Sequence, residues 1–133
     1  MTIFVDTSAF YAQIADDDQS HLAALAMWSR LSHEHVRLMT TSYVALESCA
    51  LLQSRFGMKG TRALVYELLP VVDIEFVGPR THQMAVDTLL TANRRDLSLV
   101  DCVSFLVMRE QRIDRVFTFD RHFAEQGFTL LAG

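Results

Sequence analysis

The stretch TIFVDTSAFY, residues 2–11, decides how the rest of the chain is read. Ile3, Phe4 and Val5 are apolar and β-prone, Asp6 interrupts them, and Thr7 and Ser8 lead into helical spacing. A strand that passes through one acid into a helix is the first unit of a parallel α/β sheet. Asp6 then has two readings. It can cap the helix by accepting from free N–H groups at the helix start, or it can hold a metal ion beyond the carboxyl end of the strand.

Further short apolar runs follow at 37–40, 74–77, 115–118 and 128–131. Helical periodicity separates them, over about 8–14, 19–33, 42–56, 59–69, 80–94, 98–112 and 121–126. Pro70 and Pro79 fall at edges of these segments, where a missing N–H is tolerated. The expected fold is a three-layer α/β/α domain with a parallel sheet of about five strands. No linker, low-complexity tract or repeat divides the 133 residues, so one domain over 1–133 is expected.

Composition narrows the function classes. No apolar run approaches the roughly 18 residues that span a bilayer, and Asp6 breaks any apolar run that could act as a leader, so a cytosolic (cytoplasmic) protein without membrane contact is expected. Cys49 and Cys102 lack CxxC spacing and read as small core or near-core residues. A formal charge of -4 argues against a protein that coats nucleic acid. It leaves room for a nucleic-acid enzyme whose carboxylates converge on cations. Every basic residue but Lys59 is arginine, the side chain that binds phosphate bidentately, although any single arginine reads first as part of a solvated helix face.

Reactive groups in a doubly wound sheet gather beyond the carboxyl ends of strands, where strand order reverses. Asp6 follows the first strand and Asp120 the fourth, in RVFTFDRHF. Either one alone reads as an N-cap. Glu47, in SYVALESCALLQSRFG, shares a face with Tyr43, Val44, Ala50 and Leu51, so its charge calls for a metal or an arginine, unless it snorkels at the edge of the stripe. Asp101, in DLSLVDCVSFLVMRE, has Leu97, Ser98, Ser104 and Phe105 as helical neighbours, and Ser98-x-x-Asp101 also fits a capping box. Two acids at strand ends and two on apolar helix faces together can build one acidic pocket for Mg²⁺ or Mn²⁺. A cation held there would acidify a water and offset charge in phosphodiester hydrolysis. His33 and His35 read as exposed, and His122 as a surface side chain rather than a general base.

With the acids placed, the chain resembles the PIN-domain ribonucleases, and in size the toxin half of VapBC-type toxin-antitoxin pairs. FVDTSAF is similar to the family's opening strand, SYVALES to its helical Glu, LSLVDCVSF to its third acid and FTFDRHF to its last. The resemblance implies Asp6, Glu47, Asp101 and Asp120 as catalytic and metal-binding acids, with Ser8 and Thr118 orienting them. It also implies a Mg²⁺ or Mn²⁺ cofactor, an RNA substrate cut by metal-activated water, a small cognate antitoxin and a homodimer. A haloacid-dehalogenase-type phosphatase would need a second acid where Ser8 stands, and a receiver-type domain would need an Asp where DIEFVGP ends in Gly78 and Pro79. A catalytically silent interaction module, with the acids serving as caps, is the alternative that stays open.

Overall fold

The computed structural model describes residues 1–131. The last two positions of the expected 1–133 domain lie outside the described residues. Five strands form one sheet in the order β3-β2-β1-β4-β5. They are β1 (Thr2–Val5), β2 (Arg37–Thr41), β3 (Asp73–Glu75), β4 (Arg115–Phe117) and β5 (Thr129–Leu130), and every pairing is parallel. The helices are α1 (Thr7–Ile14), α2 (His21–His33), α3 (Ser42–Ala63), α4 (Pro79–Ala92), α5 (Leu99–Glu110) and α6 (His122–Glu125).

Successive side chains of a strand point to opposite faces. Ile3, Phe4 and Val5 are all buried, as are Leu38, Met39, Thr40 and Thr41, so the central strands are covered on both faces. That is the expected three-layer arrangement, and it explains why these strands read as continuous apolar runs rather than alternating ones. Phe4, Phe10, Phe117 and Phe123 are among the largest fully buried side chains. Cys102 is buried, Cys49 half-buried, and both are free thiols.

Strand order runs outward from β1 through β2 to β3, then returns to the other side of β1 for β4 and β5. The reversal lies between β1 and β4, where Phe4 pairs with Val116 and Val5 with Phe117. β3, β4 and β5 are shorter than the runs that predicted them, whereas β1 and β2 are each one residue longer. Val77, expected in β3, donates its N–H to Ser42 Oγ at 3.0 Å and so leaves the ladder.

The two helices expected over 42–56 and 59–69 are found as two helical segments of α3, separated at a non-helical kink at Gly57. The second segment passes into a π-helical turn at Leu64–Leu68 and a 3₁₀ turn at Leu69–Val71 that contains Pro70. Gly57 has φ 65° and ψ −156°, a region open to glycine and strained for other residues. A Cβ there would meet nothing within 4 Å, so the backbone angle alone resists substitution. Gly57→Ala is therefore expected to cost about 1–3 kcal/mol in urea unfolding. An unchanged midpoint would show that the helix breaks without needing this angle.

Candidate functional site

Asp6 continues the edge of β1 in extended conformation and donates its N–H to Phe117 O at 3.1 Å. It occupies the N-cap position of α1, yet its side chain makes no cap bond. Its Oδ2 accepts from Thr118 Oγ1 at 2.8 Å and from Ser8 Oγ at 3.0 Å. Those hydroxyls are held in turn. Ser8 Oγ accepts the N–H of Phe119 at 2.9 Å, and Thr118 Oγ1 accepts that of Asp120 at 3.0 Å. With each hydroxyl proton directed at Asp6, the carboxylate is fixed through one oxygen. No described side chain donates to Oδ1. Asp6 is 4% exposed, and burial pushes its pKa up to about 6 against the Thr118 bond; the charge of Asp101 pushes the same way, against the bonds from Ser8 and the Thr7 backbone.

Asp101 stands in the first turn of α5 and does form the capping box. Its N–H donates to Ser98 Oγ at 3.0 Å, and its Oδ2 accepts the Ser98 N–H at 3.1 Å. The box uses one carboxylate oxygen and leaves the other to face its neighbours. Burial raises the Asp101 pKa, the Ser98 bonds oppose this, and the charge of Asp120 adds to it.

Asp120 follows β4, and its Oδ1 accepts the backbone N–H of His122 at 2.9 Å. This tight turn brings the His122 ring back over the acids. The side chain expected at the surface is instead 19% exposed, because Phe123 beside it is fully buried, its ring 5.0 Å from Phe105 at 82°. His122 Nδ1 lies 2.9 Å from Asp120 Oδ1 but off the line a hydrogen bond requires, and Nε2 lies 3.2 Å from Asp96 Oδ2. Asp96 raises the His122 pKa, partial burial opposes this, and Asp120 and Asp101 add to the rise. One ligand atom from each of Asp101, Asp120 and His122 lies within 4.8 Å of the others. That spacing suits a cation at ordinary oxygen and nitrogen distances.

Asp6 and Glu47 lie outside this trio, Asp6 close enough for the charge of Asp101 to act on it. Glu47 is half-buried on α3 and lines an apolar recess of about 330 Å³ with Tyr43, Leu46, His82, Leu99 and Val100. Leu99 and Val100 directly precede Asp101, so the recess opens beside the acids. No described cation pairs with Glu47, so the arginine offered as its partner is not there. His33 and His35 are exposed, as expected. Among the arginines, Arg94 is committed to Asp96 at 2.8 Å and Glu125 at 3.1 Å. Arg80, Arg95 and Arg121 are exposed and form no ion pair with any described residue.

Sequence reasoning passed over Asp96 and undervalued His122. The available signal was the short spacing Asp120-Arg-His-Phe123, which puts a histidine one residue from a buried aromatic and two from an acid.

The family model of the PIN domain matches residues 3–128. The 23S rRNA-specific endonuclease VapC20 of Mycobacterium tuberculosis is 35% identical over 127 residues, which cover 95% of each chain. The crystal structure of VapC20, described as a sarcin-ricin loop cleaving toxin, superposes with a TM-score of 0.84 at 32% identity over 96% of both chains. Two more distant structures share the fold. VapBC2 of Rickettsia felis, solved with a DNA fragment from its promoter, gives a TM-score of 0.71 at 11% identity, covering 98% of both chains. FitAcB of Neisseria gonorrhoeae gives 0.66 at 15% identity, covering 98% of this chain and 96% of that one. With the family match running from Ile3 to Phe128 and a relative 35% identical over nearly the whole chain, the chain belongs to the PIN-domain family.

Proposed function

We propose that the chain, as one domain over residues 1–133, is a Mg²⁺- or Mn²⁺-dependent endoribonuclease and the toxin of a toxin-antitoxin pair. The observation that carries this reading is the state of Asp6. A buried carboxylate beside a second acid resists ionisation: moving its pKa from 3.8 to about 6 corresponds to about 3 kcal/mol. A structural cap would not be placed so, and Asp6 makes no cap bond. A divalent cation among the acids reverses the penalty.

The roles follow from the contacts. Ser8 and Thr118 grip Asp6 Oδ2 and so aim its other oxygen, while Asp101 and Asp120 supply the adjoining carboxylates. Glu47 would join them from α3, where it lines the apolar recess with Leu99 and Val100, the residues that precede Asp101. When bound, the cation acidifies a water and offsets charge on the reacting phosphate. Arg95 and Arg121, exposed and free of described ion pairs, are placed in sequence next to Asp96 and Asp120 and supply cations for the RNA backbone. The likeness to VapC20 across the full length supports RNA as substrate.

An antitoxin partner, self-association and a cytoplasmic setting belong to the same reading. Leu46, Phe76 and Leu90 are each more than 70% exposed, which is apolar area available to protein partners. No described helix is long and apolar enough to cross a membrane. The capping box at Asp101 is the one feature that favours a silent interaction module.

Two measurements separate these readings. The purified protein is expected to cut RNA with Mg²⁺ or Mn²⁺ and to stop in EDTA, and Asp6→Asn should lower the rate by about 100-fold or more. Wild-type cleavage by pure Asp6→Asn would remove Asp6 from the site. The second measurement is stability against pH without metal. The folded state holds the Asp6 proton up to about 6 and the unfolded state only to 3.8, so stability is greatest below that window. It should fall as pH rises through the window, by up to about 3 kcal/mol, and Asp6→Asn should flatten the profile. At neutral pH, Mn²⁺ at 100 times its dissociation constant should restore about 2.7 kcal/mol to the wild type. An equal gain in Asp6→Asn would place the cation elsewhere.

A further inference from the structure

We propose that His122 binds the cation through Nδ1, together with Asp101 and Asp120, and that Asp96 is the positioning residue that sets the imidazole for this, biasing the site from Mg²⁺ towards Mn²⁺. The inference rests on the divalent-cation reading above and goes beyond its four acids.

Three observations converge on it. His122 Nδ1 is buried without an aligned hydrogen-bond partner and lies 2.9 Å from Asp120 Oδ1, and one ligand atom of His122 lies within 4.8 Å of an oxygen from each of Asp101 and Asp120. The 2.9 Å approach to Asp120 Oδ1 lacks the alignment of a hydrogen bond, and that oxygen is turned to the His122 backbone N–H. The far side of the ring is engaged: Nε2 faces Asp96 Oδ2 at 3.2 Å. A carboxylate that takes the proton of one ring nitrogen leaves a lone pair on the other, which is how metal-binding histidines are oriented.

Asp96 is itself held on both oxygens. Arg94 Nε reaches Oδ1 at 3.1 Å, and Arg94 Nη2 reaches Oδ2 at 2.8 Å. The same guanidinium donates to Glu125 Oε2 at 3.1 Å, tying the loop before α5 to α6. These groups are largely exposed, where ion pairs add little stability. Their shared consequence is a fixed ring. Phe123, buried in the core, prevents α6 from drifting away from that loop.

The donor chemistry then sets metal preference. Mg²⁺ prefers oxygen and keeps its waters, whereas imidazole nitrogen is accepted more readily by first-row transition ions. Two carboxylates and one imidazole retain affinity for a hard cation while favouring Mn²⁺.

The test is pulsed electron paramagnetic resonance on the full chain loaded with Mn²⁺, read for ¹⁴N coupling, with Mn²⁺ and Mg²⁺ affinities measured beside it. A directly bound nitrogen is expected in the wild type and should vanish in His122→Ala. Asp96→Ala changes an exposed side chain and should weaken Mn²⁺ binding by about 10–100-fold. His122→Ala should lose more affinity for Mn²⁺ than for Mg²⁺. Bound Mn²⁺ without nitrogen coupling in the wild type would overturn the inference, and that result needs no variant to fold. Coupling that persists in His122→Ala would overturn it too, by pointing to another histidine such as His82. Unchanged Mn²⁺ affinity in Asp96→Ala would remove Asp96 from the role. If RNA cleavage requires metal in any of these cases, the nuclease reading stands while this one falls. A wild type that binds no Mn²⁺ and cuts no RNA would end both.

Discussion

The backbone bond from Asp6 N–H to Phe117 O is the constraint on which the site depends. It extends the β1/β4 pairing by one residue and brings Asp6 against Thr118, 112 positions away in the chain. From there the geometry propagates locally. Thr118 fixes the Asp120 N–H, Asp120 fixes the His122 N–H, and Phe123 anchors the turn in the core. A parallel sheet needs crossover connections, so only a reversal of strand order places two strand ends side by side with no helix between them. Asp6 and Asp120 follow those strand ends, and Asp101 lies beside Asp120.

The cost of this placement is concentrated in a few residues. Asp6 is almost wholly buried and Asp101 half-buried; beyond burial, the charge of Asp101 resists ionisation of Asp6, and that of Asp120 resists ionisation of Asp101. Nearby neutral hydroxyls moderate the penalty without cancelling it. Ser8 and Thr118 donate to Asp6 but carry no charge, and Arg94 is committed to Asp96 at the rim. A protein built only for stability would put an arginine among these acids or replace them by apolar residues of similar volume. What the fold holds instead is a set of carboxylates with no described cationic side chain among them but His122.

The parallel sheet was legible because β1 and β2 are buried on both faces, which leaves few charged residues in the runs read at 3–5 and 37–40. Strand ends were less legible. Val77 is as apolar as its neighbours, yet a single bond to Ser42 removes it from β3, and nothing in local composition signals a partner 35 positions away. Glycine at position 57 marked the break in α3, while the π-helical turn after Ala63 left no signature in Leu64–Leu68. Among the site residues, Asp6, Asp101 and Asp120 stood out because acids at strand ends or on apolar helix faces conflict with burial. Asp96 did not. It lies in an exposed loop rich in charge, where one acid looks like any other, and its significance comes from contacts to Arg94 and His122 that only the folded chain creates.

Capping and metal binding first stood as rival explanations of the same acids, and the contacts show why the rivalry was partly false. A carboxylate has two oxygens and several lone pairs. Asp101 spends one oxygen on the capping box, which locks its rotamer and lets the positive end of α5 favour the ionised form. The second oxygen is thereby aimed, since the side chain has no freedom left to turn away. Asp6 reaches the same end by a different route, with hydroxyls in place of helix N–H groups. A capping bond and an open carboxylate oxygen are thus compatible in one side chain: at Asp101 the bond that satisfies the backbone also fixes the direction of the carboxylate.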